Sequence, residues 1–201
     1  MELFKKNKSF SSIESFSLAE YIYLLNYTNE LINKYDQGLL NCILGNYSIL
    51  ILNQGNTVLG NYITQILLNL KKFYFNIDIL ETPPFLNDFY ETAIIINSNI
   101  NLPIENLIYI NRDTFSIILA LSMFIYSRDS FENKPNIITD EKILKEVDKN
   151  TFNHLIDKII NKKEYLYFLK NYQIGNEIEF IPQRELLFII LGIIIILSRK
   201  I

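Results

Sequence analysis

The chain has few of the residue types from which most catalytic and metal sites are built. It contains one cysteine, Cys42, and one histidine, His154, in 201 residues. A single cysteine excludes an internal disulfide, and a zinc site takes three or four protein ligands, mostly Cys and His. The acidic residues fall at capping and surface positions, with no local pair suited to acid and base roles. We therefore predict no catalytic residue, no metal site, no cofactor and no enzymatic activity.

Further absences limit the partners. The first ten residues carry charges, but no apolar stretch follows them, so the pattern of a secretory signal is missing. The formal net charge is -3, which gives no basic balance for nucleic acid. Residues 55–60 have the glycine spacing of a phosphate-binding loop, yet Asn61 and Tyr62 stand where that motif requires Lys and Ser or Thr. We predict no nucleic-acid partner and interpret the glycine spacing as coincidence.

The longest apolar run lies near the C-terminal end, from Leu186 to Leu197, and Arg199 and Lys200 follow it. This layout is typical of a tail-anchored protein, in which terminal basic residues hold the helix end at lipid phosphates. The predicted anchor consists of Leu186, Phe188, Ile190, Ile193, Ile196, Arg199 and Lys200. Because a span normally needs roughly 20 apolar residues, a buried terminal helix or strand is the alternative.

The spacing of apolar residues elsewhere predicts a mainly helical body. Ser17 and Glu20 have the spacing of a capping box before a helix that ends near Asp36. The same periodicity favours a long helix over 56–74, a short one over 85–96, a central apolar one over 115–126 and an amphipathic one over 141–160. Residues 39–52 fit a helix or a strand, and we choose a helix.

The order of these elements resembles the Bcl-2 family of apoptosis regulators. The stretch Thr114-Phe-Ser-Ile117, followed by an aliphatic run, looks like the family's Asn-Trp-Gly-Arg motif at the start of its central helix. The chain departs from that motif at Ser116, where the family has Gly, and at Ile117, where it has the Arg that pairs with a BH3 ligand. Residues 165–169 resemble the family's BH2 region in position only. Together with a composition rich in residues of AT-rich codons, these departures are similar to the divergent poxvirus homologues.

The resemblance implies an all-α fold, a Bcl-2-like helical bundle around a central apolar helix with a C-terminal membrane-anchor helix. Its domains would be a flexible N-terminus at 1–16, a bundle at 17–180 and a tail anchor at 181–201. It implies an inhibitor of apoptosis that sequesters BH3 segments of Bax, Bak or BH3-only proteins at the mitochondrial outer membrane, facing the cytosol, with a homodimer left open. The implied groove residues are Leu67, Leu70, Phe73, Phe89, Phe115, Ser116 and Ile118.

Two other interpretations fit the same patterns. The first is a non-apoptotic, tail-anchored viral membrane or scaffold protein with a helical cytosolic domain, at the endoplasmic reticulum or another intracellular membrane. The second is a soluble enzyme whose apolar C-terminal segment is buried. Deletion of residues 186–201 distinguishes an anchored protein from the soluble enzyme. Loss of an anchor leaves a folded domain, whereas loss of a buried core segment unfolds the domain.

Overall fold

The computed structural model shows an α/β domain built on a four-stranded parallel sheet, and it describes residues 9–40, 46–85, 89–129, 141–160 and 181–198. The prediction of an all-α bundle is therefore wrong. The strands lie in the order β2-β1-β3-β4. Their bounds are β1 at Ser48–Asn53, β2 at Asn76–Leu80, β3 at Thr92–Ile96 and β4 at Asn106–Ile110.

Six α-helices accompany the sheet in the described ranges. They are α1 at Leu18–Asp36, α2 at Val58–Leu67, α3 at Arg112–Asp129, α4 at Glu141–Leu144, α5 at Lys149–Ile160 and α6 at Gln183–Ser198. Short 3₁₀ segments cover Ile13–Ser15 and Leu68–Phe73. The helices predicted around residues 18–36, 56–74 and 115–126 are confirmed, although the second ends as a 3₁₀ segment.

The central strands β1 and β3 are the elements that the sequence interpretation missed. All five residues of β3 are buried, as are the last five of β1. A parallel strand buried on both faces is apolar at nearly every position, and so lacks the alternation that identifies a half-exposed strand. For this reason, the predictions of helices over 39–52 and 85–96 are wrong where β1 and β3 lie. Residues 41–45 and 86–88 are outside the described ranges.

Helices cover one face of the sheet, and a connecting segment covers the other. Ile49, Ile51 and Ile94 face the core shared with α1, α2, α3 and α6. On the opposite face, Leu50 and Ile95 pack with residues of the 97–105 segment between β3 and β4. The right-handedness of crossovers explains this division. The connection from β1 to β2 and the connection from β3 to β4 lead in opposite directions along the sheet, so right-handed crossovers place them on opposite faces.

The N-terminal segment closes one edge of the sheet. The backbone N–H of Phe10 donates to the carbonyl of Leu107 at 2.9 Å, and the N–H of Tyr109 donates to the carbonyl of Phe10 at 2.8 Å. The Phe10 side chain is fully buried. The capping box that follows is confirmed, since Ser17 Oγ accepts from Glu20 N at 3.3 Å and Ser17 N donates to Glu20 Oε2 at 2.5 Å.

The apolar C-terminal run is a core helix, so the prediction of a tail-anchored, transmembrane protein is wrong. Helix α6 packs between α1 and α3. A Cβ at Gly192 would lie 2.8 Å from both Leu24 Cδ1 and Thr28 Oγ1, so only glycine permits this approach to α1. Among the described residues, none of the helices combines the length and the hydrophobicity that a membrane span requires.

The residues predicted to form the membrane anchor are buried within the domain, because other elements cover α6 on nearly every side. Leu186, Phe188, Ile190, Ile193 and Ile196 are each at most 3% exposed. The side chains of Phe73 and Phe188 meet with ring centroids 5.8 Å apart, which joins α6 to the 3₁₀ segment after α2. Arg199 and Lys200 lie outside the described residues.

Candidate functional site

The residues predicted to form a BH3 groove are mostly part of the core. Leu67, Leu70, Phe73, Phe115, Ser116 and Ile118 are at most 2% exposed, whereas Phe89 is 71% exposed. The apolar faces of α2 and α3 that were expected to line a groove pack instead against the sheet and α6. BH3 sequestration stays an untested prediction, but the bundle on which it depended is absent from the described fold.

Ser116 has a structural role in the described fold. Its Oγ donates to the carbonyl of Arg112 at 2.7 Å and accepts from the backbone N–H of Asp148, also at 2.7 Å. These two bonds join the first turn of α3 to the residue before α5. Both hydrogen-bonding directions of the hydroxyl are therefore used within the fold.

The strand order places a topological switch point between β1 and β3. From β1 the chain passes to β2 on one side, then returns to β3 on the other side and continues to β4. In open parallel sheets, the loops after the two strands at such a reversal separate and leave a crevice outside their carboxyl ends. The residues at this position are those of the β1–α2 turn and of the loop that begins at Asn97.

The β1–α2 turn is short and contains residues in the left-handed region. Gly55 has φ +77° and Asn56 has φ 48°. Thr57 is the N-cap of α2, and its Oγ1 accepts from the backbone N–H of Gly60 at 3.0 Å. Glycine and asparagine tolerate positive φ better than other residues, so their presence in the turn allows α2 to start directly above the end of β1.

Gly60 lies inside α2 and brings that helix close to the strand. A Cβ on Gly60 would stand 2.2 Å from Asn53 Oδ1, which no side chain could occupy without movement. Because α2 begins at Val58, between the two glycines, the loop does not wrap a phosphate as a Walker-type loop does. The match to a phosphate-binding loop is therefore coincidental, as the sequence analysis interpreted it, and Gly60 serves instead to let α2 pack closely against the end of β1.

Four side chains form what we call the asparagine cluster: Asn53, Thr57, Asn61 and Asn97. Asn53 Nδ2 donates to Asn61 Oδ1 at 3.1 Å, and Asn97 Nδ2 donates to Thr57 Oγ1. Asn97 directly follows β3 with φ 54°, and its backbone N–H donates to the carbonyl of Ile110 at 2.9 Å. These bonds join the loop after β3 to the β1–α2 turn and to the end of β4, so the two loops at the switch point are in direct contact at Thr57 and Asn97.

The cluster combines a buried acceptor with the unpaired N–H groups at the start of α2. Asn53 is 7% exposed, and its Oδ1 has no hydrogen-bond partner in the part of the chain that the structure describes. The first N–H groups of a helix have no intrahelical acceptor, and Thr57 satisfies only that of Gly60, so those of Val58 and Leu59 stay available. Amide and hydroxyl side chains neither gain nor lose protons near neutral pH. The arrangement is therefore suited to binding and not to proton transfer.

The start of α3, which follows β4, brings charged side chains to the same end of the sheet. Arg112 is the first residue of that helix and is exposed, as is Asp113 beside it. The helix dipole favours an anion at this end and disfavours a cation, so Arg112 gains nothing from its helix. Within the described residues no group of three or more His, Cys, Asp or Glu side chains is placed to hold a metal ion.

Only an indirect signal of this site is present in the sequence. A glycine-containing turn between an apolar strand and an amphipathic helix would have identified the β1–α2 unit, had residues 48–52 been assigned as a strand. Comparison of the chain with models of known protein families, with curated proteins and with solved structures found no significant match. The site is therefore assigned from geometry and chemistry alone.

Proposed function

We propose that this domain binds a small ligand through an anionic group at the carboxyl ends of β1 and β3. The observation that carries the proposal is the strand order, which puts its reversal where the asparagine cluster lies. Open parallel sheets bind their ligands at this position whatever the chemistry of the ligand. The ligand would rest above Thr57, between the β1–α2 turn and the loop that starts at Asn97.

Helix α2 supplies the preference for an anion. Its first turn presents free backbone N–H groups at Val58 and Leu59, and the positive end of its dipole favours negative charge. The buried and unpartnered Oδ1 of Asn53 lies close to Gly60 in this same turn. It is an acceptor, so it would take a donor hydrogen of the ligand and not its anionic group. A buried acceptor without a partner costs about 1–3 kcal/mol, and a ligand hydrogen that reached this oxygen would recover part of that cost.

We propose binding without catalysis. The asparagine cluster contains three amides and one hydroxyl, and none of these side chains acts as an acid or a base near neutral pH. Arg112, at the same end of the sheet, would add a positive charge without a covalent role. The described site thus favours a receptor or regulatory domain for a small anion.

The test is a titration of the ¹⁵N-labelled full chain with inorganic phosphate, followed by NMR. We expect the largest shifts at the amides of Val58, Leu59 and Thr57, with saturation in the millimolar range that is usual for a bare ion. Asn56→Asp should weaken binding severalfold, because it adds a negative charge to the exposed β1–α2 turn.

Asn46→Asp is the matched control for this variant. Asn46 is also exposed and also has positive φ, at 57°. It precedes β1, however, and so lies at the amino ends of the strands, away from the proposed site. The same substitution there should leave phosphate binding unchanged. Shifts confined to exposed lysines, or equal losses in both variants, would refute a site at the carboxyl ends.

A further inference from the structure

The two edges of the sheet differ in what covers them. The edge at β4 is closed by Phe10, whose backbone is hydrogen-bonded to that of Leu107 and Tyr109. At the other edge β2 pairs with β1 alone. No described residue bonds to the outer backbone groups of β2. An uncovered edge of this kind is a template for a further strand.

The outer backbone groups of β2 belong to Ile77 and Ile79. The backbone N–H of Asn76 donates to the carbonyl of Tyr47, just before β1, at 3.0 Å. Alternate residues of a strand bond to the neighbour on one side, so Ile77 and Ile79 direct their N–H and C=O groups away from β1. The strand, Asn76–Leu80, contains no lysine, proline or bulge, which are common protections of an edge.

Exposed apolar side chains lie in this strand and on both sides of it in the chain. Tyr74, before β2, is 67% exposed, and Phe85 and Phe89, after it, are 106% and 71% exposed. Ile79 within the strand is 40% exposed. With about 200 Å² for a whole aromatic side chain, these residues offer roughly 500 Å² of apolar area per chain. An interface of standard size takes about 800 Å² from each partner, of which about 57% is apolar, so this edge offers enough apolar area for one.

We infer that β2 pairs with β2 of a second copy of this chain, antiparallel and about a two-fold axis, so that two four-stranded sheets become one. Such a pair brings the amino end of each β2 to the carboxyl end of the other. Lys71 and Lys72 lie just before β2 and Glu81 just after it, and all three are exposed. Each copy thus presents positive charge where the other presents negative charge, and Tyr74 where the other presents Phe85. A two-fold interface requires this self-complementarity, which favours a second copy over an unrelated strand.

The charge of Asp78 selects the register of the pair. A two-fold axis through Asp78 would set two carboxylates directly opposite each other, which destabilises a sheet. An axis through Ile79 sets Asp78 opposite Leu80 of the second copy instead, and the Asp78 carboxylate keeps the bond that it accepts from the Tyr90 hydroxyl at 2.9 Å. We place the axis at Ile79, since its side chain is more exposed than that of Ile77 and would be covered by its own copy.

The test is sedimentation velocity of the full chain at concentrations from about 1 to 100 μM. We expect a dimer with a Kd in the micromolar range, the weak end for an interface of standard size. Ile79→Pro removes an outward N–H from each copy and leaves the ladder to β1 intact, as prolines at sheet edges do. It should weaken the dimer at least tenfold. Ile79→Val keeps the N–H and the branched shape, and this matched control should dimerise like the unaltered chain.

Charge reversal gives a second arm that leaves the backbone of β2 unchanged. Glu81→Lys moves the net charge from -3 toward zero, which by itself favours association, yet the dimer should weaken severalfold because the new lysine approaches Lys71 and Lys72 of the other copy. Lys71→Glu and Lys72→Glu in that background should restore it. Glu105→Lys makes the same charge change beside β4, at the opposite edge, and should not weaken the dimer.

Circular dichroism of every variant establishes that a lost dimer is not a lost fold. A full chain that stays monomeric at about 100 μM would overturn the pairing of two copies. Equal dimerisation of Ile79→Pro and Ile79→Val would show that the association does not use the edge of β2. Equal effects of Glu81→Lys and Glu105→Lys would refute the antiparallel match of charges.

Discussion

A pair of leucines in α6 tests whether that helix is part of the core. Leu191 is fully buried in the main core, whereas Leu187, one turn earlier, is partly exposed. Truncation of a buried leucine to alanine removes its transfer free energy and leaves a cavity, which costs about 2.7–5 kcal/mol. For the partly exposed leucine we expect about 1 kcal/mol, because less apolar area returns to water.

The assay is urea unfolding of the full chain in aqueous buffer without lipid or detergent, followed by circular dichroism. A domain of this size has a free energy of unfolding of roughly 5–15 kcal/mol, so Leu191→Ala should lower the midpoint clearly, with an unchanged slope. Leu187→Ala is the control for side-chain chemistry and for helix propensity. Losses below about 1 kcal/mol for both variants would show that α6 is not buried in the domain and would refute the described packing.

Three further predictions concern single positions. Gly60→Ala should destabilise the fold by about 1–3 kcal/mol, because its Cβ would stand 2.2 Å from Asn53 Oδ1. In an Asn53→Ala background the cost of Gly60→Ala should be smaller. A double-mutant cycle in which the cost is the same in both backgrounds would disprove this contact. Tyr74 is exposed and has φ 65°. Tyr74→Gly should therefore raise the free energy of unfolding, measured by thermal melts, by about 1 kcal/mol. Tyr74→Ala keeps the strained conformation and should show no such gain. Burial, and to a lesser degree the charge of Glu20, raise the pKa of Tyr21 above its ordinary value of 10.0, and its hydroxyl donates to the carbonyl of Ile13 at 2.9 Å. The stability that this group contributes is present below about pH 10 and is lost as the pH rises further, because only the unfolded chain then releases the proton; Tyr21→Phe should flatten the urea midpoint measured between about pH 8 and pH 11, and an unchanged profile would argue against it.

The helices were predictable because their signals are local. Ser17 and Glu20 satisfy each other's backbone N–H groups within one turn, and this pattern depends on no distant residue. Helix α3 is apolar on nearly every side, which correctly predicted that other elements surround it. The break of the predicted 141–160 helix between α4 and α5 gave no comparable signal, since the Ser116 hydroxyl that bonds the N–H of Asp148 comes from another helix.

The sheet was not predictable by the same reasoning because its strands are short and buried. Ile94, Ile95 and Ile96 are followed by Asn97, and in a chain rich in both residue types neither the run nor its end stands out. The same isoleucine content makes α6 apolar on all faces, which favoured a membrane anchor over a core helix. What decided between them is that α1, α3 and the sheet together surround α6, and this depends on the tertiary fold.

The asparagine cluster was hidden for a related reason. Asn53, Asn61 and Asn97 are three among many asparagines, so composition gives none of them prominence. Only the parallel register, which pairs Asn53 with Ile96, brings the end of β1 beside the start of the loop at Asn97. A switch point is a property of strand order, and strand order is set by contacts that lie far apart in the chain.

The position of α6 between α1 and α3 has a consequence for the order in which the chain acquires structure. Synthesis delivers residues 18–36 and 112–129 long before residues 183–198. Until α6 has been made, the apolar faces of α1 and α3 that it covers have no partner, and exposed faces of this kind promote association between chains. A ribosome-bound chain that stops before residue 183 should therefore need a holding chaperone, whereas a complete chain in free solution should not.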